Sequence, residues 1–376
     1  MIKNSVVAEI NLKQLAKNIA CIKQHLNKKV KLMAVVKGNG YGYGVVKIAK
    51  QAVKSGANYL GVARLSEGIE LRNNNIKSPI LILTPIIKEE AKEVLNYNLS
   101  ATVASVEAVK ALDQAAKILN KKAVIHIKID TGLNRFGIKP SNAASFLKEI
   151  YKHSNIIVEG MFSHFASAYS DAVYTKKQLN IFTKLLKELK HKNLKPPIIH
   201  IANSPATIKF SETHFDMVRC GSIIYGQPLG ANISMPSEIK HILSWKAKIQ
   251  SIGYLEPGKS IGYGLMSSIK YTTKKQKKYA VLNIGFCDGF PKSPSSWKNV
   301  LIKGQFASII GEICMNNSLI DITNIKEEVK IGDEVVLIGK QGSAEICLED
   351  VKKETQINLS EIILRISLNV PKIYFS

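Results

Sequence analysis

Cysteine is scarce in this sequence, and its spacing excludes the functions that need closely spaced pairs. The 376 residues include five cysteines, and no two of them form a C-x-x-C pair. A disulfide framework or a zinc site is therefore not expected. We predict free, buried thiols and no bound metal.

Long apolar runs are also missing. No segment has the roughly 20 consecutive apolar residues that cross a bilayer as a helix. The first ten residues contain neither an extended apolar segment nor a small-residue cleavage site, so no secretory signal is expected. The sequence therefore predicts a cytoplasmic protein with no membrane partner.

Acidic residues and arginine are few, whereas lysine is abundant. Lysine and arginine number 53 against 29 acidic residues, a formal net charge of +24, yet only five of these cations are arginine. Such a charge invites a nucleic-acid interpretation. The lysines are spread along the chain, however, and the one cluster, residues 270–278, suits a solvated loop. We predict no nucleic-acid partner, although the positive field would speed encounter with anionic ligands.

Short apolar segments alternate with helical patterns over the first two-thirds of the chain. Eight segments have the composition of buried strands: residues 31–37, 58–63, 79–84, 99–104, 123–129, 156–163, 197–202 and 215–220. Between them, apolar residues recur at helical spacing, as at Phe182, Leu185 and Leu189. Alternating strands and helices indicate a parallel sheet, and eight such units predict a closed (β/α)8 TIM-type barrel. A doubly wound open sheet is the alternative.

The pattern changes after about residue 235. Short Val- and Ile-rich segments are now separated by Gly, Pro, Asn and Asp: residues 243–252, 279–284, 300–302, 307–310, 318–320 and 334–338. They indicate an all-β second domain. We therefore predict an α/β barrel domain over residues 11–235 and a β-rich C-terminal domain over residues 236–376. A strand at residues 5–10 is expected to pair with the second domain.

Lys37 follows the apolar residues 33–36 and precedes the glycine-rich segment 38–44. Burial or neighbouring cations turn a lysine amine into a nucleophile, whose usual product is a Schiff base with a carbonyl or with pyridoxal phosphate (PLP). The glycine spacing matches neither the dinucleotide fingerprint nor the P-loop. A snorkelling lysine before an ordinary turn is the alternative.

Further polar residues follow later strands. Active sites of (β/α)8 barrels are built at the carboxyl ends of the strands. That face would carry Lys37, Arg135, His164, Asn203, Ser204, Arg219 and Gly221. Each has a structural explanation when taken alone: a hydrogen-bonded histidine, a helix start with Ser204 as its cap, or a surface ion pair of Arg219. Their common position favours a functional site.

The loops after the seventh and eighth strands are suited to phosphate. Barrels commonly bind phosphate at these loops. Ser204 before a helix, and the main-chain N–H groups of Gly221 and Ser222, offer donors for a dianion. A phosphate site opposite a strand-end lysine is what PLP requires.

In combination, these motifs resemble those of bacterial alanine racemases. The resemblance runs nearly end to end and is carried by residues 34–44, 128–135, 164–166, 203–204, 219–221, 262–264 and 311–315. It implies a homodimer with active sites shared between subunits, each subunit a (β/α)8 barrel with a β-rich C-terminal domain. It also implies PLP-dependent interconversion of L- and D-alanine, which supplies D-alanine for peptidoglycan.

The resemblance implies roles for individual residues. Lys37 would hold PLP and act as one base, and Tyr263 would reach in from the partner subunit as the second base. Arg219 would bond the pyridine nitrogen, and His164 would link Arg219 toward Tyr263. The implied cofactor-binding residues are Lys37, Tyr41, His164, Asn203, Ser204, Arg219, Gly221, Ser222 and Tyr225.

Other implied roles concern substrate and chemistry. Arg135 and Met315 would position the substrate, and Lys128 would be the lysine that some members carbamylate to orient Arg135. An arginine at the ring nitrogen gives a weaker electron sink than a carboxylate partner, which we expect to limit side reactions. The pKa of an unperturbed tyrosine is about 10, so cations near the second base would have to favour its phenolate.

Three positions depart from the family pattern. Asn316 stands where Asp is usual, Glu312 where Arg is common, and Ser360 where a tyrosine near the phosphate is usual. Loss of that phenol should widen the site. We therefore expect alanine as the main substrate, with some tolerance for serine or other small residues.

Four other functions are weighed against this one. They are a broad-specificity racemase, a decarboxylase on the same barrel, a non-catalytic PLP-binding barrel, and a basic nucleic-acid binder. The paired bases argue against a decarboxylase, and the second domain argues against a barrel that only binds PLP.

Overall fold

A computed structural model of the chain describes residues 4–230, 232–263, 271–291, 297–367 and 369–376. Gly264 of the 262–264 motif and Lys270 of the lysine cluster lie outside these residues. Backbone contacts divide the chain into two units. The barrel unit comprises Gln14–Gly40 and Val45–Lys240, and the C-terminal unit comprises the residues up to Lys13, Tyr41–Gly44 and His241–Ser376. The domain boundary near residue 235 stays a prediction.

The barrel unit is built on eight parallel strands. After strand β1 (Val6–Asn11) and helix α1 (Leu12–His25), the chain forms β2 (Lys31–Val35), β3 (Tyr59–Val62), β4 (Ile80–Pro85), β5 (Ser100–Val103), β6 (Ala123–Lys128), β7 (Ile156–Phe162), β8 (Ile198–His200) and β9 (Met217–Cys220). Their hydrogen-bonded order is β8-β7-β6-β5-β4-β3-β2-β9. Backbone bonds of 3.0 Å from Asp216 N to Ile199 O and from Arg219 N to Ala202 O join the two end strands. The predicted barrel is confirmed, and the open sheet is wrong.

Helices alternate with these strands. They are α2 (Lys37–Tyr41, a single left-handed turn), α3 (Val45–Lys54), α4 (Leu65–Asn73), α5 (Ala91–Asn96), α6 (Val106–Ile118), α7 (Ala143–Ile150), α8 (Ala172–His191) and α9 (Ser204–Lys209). Helix α8 has the predicted apolar spacing: Phe182, Leu185 and Leu189 are buried. Its first turn is capped by Asp171, whose carboxylate accepts the Tyr174 N–H at 2.8 Å. Apolar spacing and a cap therefore explain this helix from its sequence.

Every second residue of a strand points into the barrel, and these inward side chains form one apolar layer and one polar layer. Five side chains pack as one apolar cluster: Met33, Tyr59, Leu81, Ile198 and Met217. Two residues further along β8 and β9, on the same face, stand His200 and Arg219. With His126 and Lys128 of β6 they make up what we call the polar layer, all at most 4% exposed. The interior therefore becomes polar toward the carboxyl ends of the strands.

The C-terminal unit contains a nine-stranded sheet. Its later strands are β10 (Leu243–Leu255), β11 (Lys277–Leu282), β12 (Asn299–Ile302), β13 (Gln305–Ile310), β14 (Ser318–Asp321), β15 (Glu334–Gln341), β16 (Ala344–Ile346) and β17 (Lys372–Phe375). Strand β1 pairs antiparallel with β10 and parallel with β17. Trp245, Phe290 and Trp297 pack edge to face in its core, with ring centroids 5.0–5.7 Å apart. The β-rich C-terminal domain is confirmed.

The C-terminal unit is nevertheless not all-β. Helices α10 (Leu348–Thr355) and α11 (Leu359–Ser367) follow β16. In α11, Leu359, Ile362, Ile363 and Ile366 are buried at i, i+3, i+4 and i+7. This is the spacing of a helix with one apolar face, and the prediction of an all-β domain overlooked it.

Two predictions from composition can be compared with the structure. All five cysteines are free thiols. Only Cys220 is buried, so the expectation of buried thiols is wrong for the other four, which are partly exposed. Within the described ranges, no helix combines the length and apolar character needed to cross a bilayer.

Asn18 of α1 provides a test of how the barrel unit is held together. It is fully buried, and its amide donates to Ile224 O at 3.0 Å and Lys240 O at 2.8 Å while accepting the Lys240 N–H at 3.0 Å. Asn18→Leu leaves these main-chain groups unpaired, and we expect it to lower the free energy of unfolding by about 2 kcal/mol. Urea unfolding measures this change. Exposed Lys17→Ala on the same helix is the control, and equal stability of the two variants would contradict the prediction.

Candidate functional site

Lys37 begins a left-handed turn at the end of β2. The next four residues have positive φ: Gly38 (63°), Asn39 (52°), Gly40 (63°) and Tyr41 (56°). Glycine adopts this conformation without strain, and asparagine tolerates it. The turn is closed by Gly40 N donating to Val36 O at 2.8 Å, and Asn39 Oδ1 accepts the Val45 N–H at 2.9 Å. The glycine-rich segment therefore starts as a fixed turn that places Lys37 beyond the strand.

Gly42 and Gly44 are required for a different physical reason, which is the lack of space for a side chain. A Cβ on Gly42 would lie 3.0 Å from Ile363 O, and one on Gly44 would overlap the Tyr374 hydroxyl. That hydroxyl donates to Tyr43 O at 3.0 Å. These two glycines therefore allow close packing within the C-terminal unit.

The surroundings of Lys37 make its amine less basic. Its pKa is lowered by burial first and by positively charged Arg135 next, while negatively charged Glu67 opposes the shift. Part of the side chain still faces solvent in the single chain. Glu67 also fixes the turn, because its carboxylate accepts the Gly38 N–H at 2.5 Å and the Ala63 N–H at 2.7 Å. A larger share of neutral amine makes Lys37 a better nucleophile and base.

Arg219 lies in the polar layer and is 4% exposed. Its Nη atoms are hydrogen-bonded to four acceptors: His200 Nδ1 (2.9 Å), Ser163 O (2.7 Å), His164 Nδ1 (3.0 Å) and Ile201 O (3.1 Å). Burial lowers the pKa of the guanidinium to about 9, which still leaves it protonated at neutral pH. The idea of Arg219 in a surface ion pair is wrong, because its inward position on β9 buries it.

His164 follows β7 and contacts Arg219. Burial, and next the charge of Arg219, hold its pKa well below the usual value, so the imidazole is neutral. A guanidinium can only donate, so Nδ1 must be the acceptor and Nε2 must carry the proton. Gln178 steadies the loop by donating to His164 O at 3.2 Å and accepting the Ala166 N–H at 2.9 Å. The geometry thus leaves one N–H of His164 available to donate.

Lys128 is 1% exposed at the end of β6. Its Nζ donates to Ile129 O at 2.7 Å and lies over the Phe162 ring, 5.5 Å from the centroid. Burial first, and the charge of Arg219 next, lower its pKa to about 7. A large fraction of this amine is therefore neutral at physiological pH.

Arg135 is held by a turn built on Asp130. One carboxylate oxygen of Asp130 accepts the N–H groups of Gly132, Leu133 and Asn134 at 3.0–3.1 Å. The exposed Arg135 guanidinium stacks over the Phe136 ring at 4.7 Å. Lys37, Lys128 and His164 all respond to the charge of Arg135, which shows that it lies in the same positive field.

The loop after β8 contradicts one prediction, which named Ser204 as the cap of the following helix. Asn203, not Ser204, caps α9, because its side chain accepts the Ala206 N–H at 3.2 Å. Ser204 is the first residue of the helix, and its buried hydroxyl accepts the Gly221 N–H at 3.0 Å. Ser222 begins the short turn after Gly221, and the Tyr225 hydroxyl donates to Val35 O at 3.0 Å.

The remaining candidate residues belong to the C-terminal unit. Tyr263 is 66% exposed and Met315 is 58% exposed. The loop of Met315 is held by its carbonyl, which accepts the Cys287 N–H at 3.0 Å. Asn316 donates to Cys287 Sγ at 2.9 Å, and Ser360 is half-buried.

Several polar residues of the barrel interior are not predicted from the sequence. His200 contacts Arg219, His126 contacts His200, and Glu159 contacts His126, each at 2.9 Å. The available signal was the two-residue period, since His200 follows Ile198 and His126 follows Val124 on apolar strands. A polar residue at an inward strand position is therefore informative.

Known proteins share this architecture. The model described as "Alanine racemase, N-terminal domain" matches residues 10–228, and "Alanine racemase, C-terminal domain" matches residues 242–374. Alanine racemase 2 of Clostridium acetobutylicum is 37% identical over 98% of this chain and 92% of its own. The alanine racemase structure of Clostridium difficile 630 aligns with a TM-score of 0.90 at 34% identity, covering 100% of this chain and 96% of its own.

A structure with a different named substrate also aligns. The histidine racemase of Leuconostoc mesenteroides subsp. sake gives a TM-score of 0.90 at 27% identity and covers 100% of this chain and 99% of its own. Both family models match, however, and together they cover most of the sequence. The chain therefore belongs to the alanine racemase family of isomerases.

Proposed function

We propose that this protein interconverts L- and D-alanine by a two-base mechanism that uses PLP. Lys37 would be one base and Tyr263 of the partner subunit the other. The observation that carries the proposal is the cluster at the barrel strand ends, where burial first, and then the charges of Arg135 and Arg219, lower the pKa of Lys37. The physiological role would be the supply of D-alanine for peptidoglycan.

The residues at the strand ends fit PLP. Among the described residues, Arg219 Nε–H has no acceptor, and a pyridine nitrogen is one. The Ser204 hydroxyl accepts from Gly221 and keeps its own proton for a phosphate oxygen. The excess of cations around Lys37 suits a dianion. When bound, PLP would supply the electron sink that stabilises negative charge at the substrate Cα.

Lys37 and Arg219 would have different roles toward protons: Lys37 would accept one, and Arg219 would keep its own. The lowered pKa of Lys37 brings Nζ closer to the range in which it can accept a proton from Cα at neutral pH. Arg219 would donate a hydrogen bond yet keep its proton, because its pKa of about 9 lies above neutral. Arg135 and Met315 would position the substrate, and Arg135 would bind its carboxylate.

Racemisation needs a second base on the other face of Cα. His164 offers its Nε2–H, since its Nδ1 accepts from Arg219. This N–H would donate a hydrogen bond to the phenol oxygen of Tyr263 of the partner subunit. Tyr263 is largely exposed in the single chain, which is compatible with a role in a homodimer whose active sites are shared.

Lys128 is proposed to be carbamylated. A neutral amine attacks CO2: an N–C bond forms, one C=O π bond opens with its electron pair moving to oxygen, and the nitrogen releases one proton to solvent. The pKa of about 7 supplies the neutral amine. The resulting anion would face Arg219 and Arg135, whose positive charges disfavour the protonated lysine.

A broader substrate range is the second candidate. Ser360 replaces a bulky phenol expected from the family pattern and is only half-buried. The histidine racemase has the same fold at 27% identity, and the amino acid in its name is larger than alanine. Alanine remains the main substrate that we propose, with serine as the next to test.

Replacing each base tests the mechanism. Lys37→Ala should abolish racemisation and the visible absorbance of lysine-bound pyridoxal. Tyr263→Phe should keep that absorbance and lower kcat by roughly 10²–10⁴-fold. Tyr254→Phe is the control, because Tyr254 is 61% exposed in the same unit. Both rates are measured by conversion of L-alanine to D-alanine, and near-normal turnover of Tyr263→Phe would refute the second base.

Native mass spectrometry in bicarbonate tests carbamylation. We expect one added CO2 that disappears in Lys128→Met but not in Lys121→Met, since Lys121 is a partly exposed lysine whose amine donates to Leu95 O. Occupancy at fixed dissolved CO2 should rise as pH increases through about 7, because the Lys128 amine loses its proton there. Unmodified protein across this pH range would reject the modification.

A substrate panel tests the role of Ser360. Ser360→Tyr should lower the ratio of kcat/KM for serine to that for alanine by about tenfold, because the added ring narrows the pocket. Ser360→Ala is the control and should leave the ratio within twofold of wild type. Activity confined to alanine, and unaffected by Ser360→Tyr, would reject the broader range.

A further inference from the structure

A continuous chain of hydrogen bonds runs through the barrel interior from Arg219. Arg219 Nη1 bonds His200 Nδ1, His200 Nε2 bonds His126 Nδ1, and His126 Nε2 bonds Glu159 Oε2, each at 2.9 Å. The other oxygen of Glu159 accepts the Tyr59 hydroxyl at 3.1 Å. Both histidines are 0% exposed, so water does not interrupt the chain.

The two ends of this chain fix the direction of every bond. Arg219 can only donate, so His200 Nδ1 accepts and His200 Nε2 carries its proton. His126 Nδ1 must then accept, and His126 Nε2 must donate to Glu159. An ionised carboxylate can only accept, so the far end agrees with the near end. Burial lowers the pKa of both histidines, which keeps them neutral, as this direction requires.

The backbone of β7 makes room for this arrangement. A Cβ at position 160 would overlap the imidazole of His126, so only Gly160 permits the ring to lie there. The next inward side chain, Phe162, stacks on His200 with centroids 4.8 Å apart and planes 7° apart. The rings are therefore held in place by packing as well as by hydrogen bonds.

The charge of Arg219 is otherwise uncompensated. Its four acceptors are two neutral imidazoles and two carbonyls, and no carboxylate pairs with it within the described ranges. Glu159 is a carboxylate connected to it through polarisable rings. The hydrogen bond from His126 is the main cause that lowers the pKa of Glu159, so the carboxylate is ionised. Hydrogen bonds in such a chain polarise one another.

We propose that Glu159 is a positioning residue for Arg219. Acting through His126 and His200, it sets the direction of the hydrogen bonds to the guanidinium and supplies the distant negative charge that stabilises it. Arg219 then presents its Nε–H in one orientation with its proton retained. The catalytic consequence rests on the proposed function, in which that group faces the pyridine nitrogen of PLP.

Glu159→Gln removes the negative charge of the side chain but still allows its hydrogen bonds to His126 and Tyr59. The glutamine carbonyl can still accept from His126, and its amide can donate to the Tyr59 oxygen. The matched control is Asp113→Asn. Asp113 accepts from His153 at 3.1 Å, and its side chain is 26% exposed against 27% for Glu159. No hydrogen bond among the described residues connects this second pair to Arg219.

Nitrogen-15 NMR of the cofactor-free protein tests the chain without any activity. His126 and His200 should both be neutral with the proton on Nε2, and Glu159→Gln should shift the Arg219 guanidinium resonances while Asp113→Asn does not. A proton on Nδ1 of His200, a doubly protonated ring, or unshifted Arg219 resonances would overturn the proposal. The wild-type tautomers are informative even if the variant does not fold.

Turnover tests the catalytic consequence. In metal sites, residues that hydrogen-bond the metal ligands change activity by roughly 10–100-fold. We expect the lower end for Glu159→Gln, about a tenfold fall in kcat with KM within twofold. The absorbance of the bound cofactor should shift as well, and Asp113→Asn should match wild type. Wild-type kcat and absorbance in Glu159→Gln would overturn this role. Failure of the wild type to bind PLP would instead refute the proposed function and leave the NMR result standing.

Discussion

The buried guanidinium of Arg219 is the constraint on which the barrel interior depends. An isolated charge in a protein core is costly unless polar groups satisfy it. Here two histidines and two carbonyls surround it, and burial still lowers its pKa to about 9. The charge of Arg219 helps to lower the pKa values of His164, Lys128 and His200. It also sets the direction of the hydrogen bonds between the two buried imidazoles.

Much of the fold follows from the sequence. The eight barrel strands were found because buried parallel strands are short apolar runs, and the intervening helices have their own period. Because active-site residues of such barrels follow the strands, the sequence alone also groups Lys37, Arg135, His164 and Arg219. The structure brings Arg219 against His164, which the family resemblance had implied.

What the sequence did not reveal depends on long-range packing. The link from His200 through His126 to Glu159 joins three strands, and no local pattern encodes which inward side chains meet. Asn203 rather than Ser204 caps α9 because the helix begins at Ser204, and the sequence does not fix the start of a helix to a single residue. Helix α11 is not predicted although its apolar spacing is present, because the segments that precede it in the second domain indicate strands.

The short segment Tyr41–Gly44 has a consequence for protein engineering. It follows the Lys37 turn in sequence but packs within the C-terminal unit, where Gly42 and Gly44 lie against Ile363 and Tyr374. A chimaera that exchanges the C-terminal part of the chain between relatives would have to carry these four residues with it. A crossover placed only at the later boundary would separate each glycine from the backbone or ring that it accommodates.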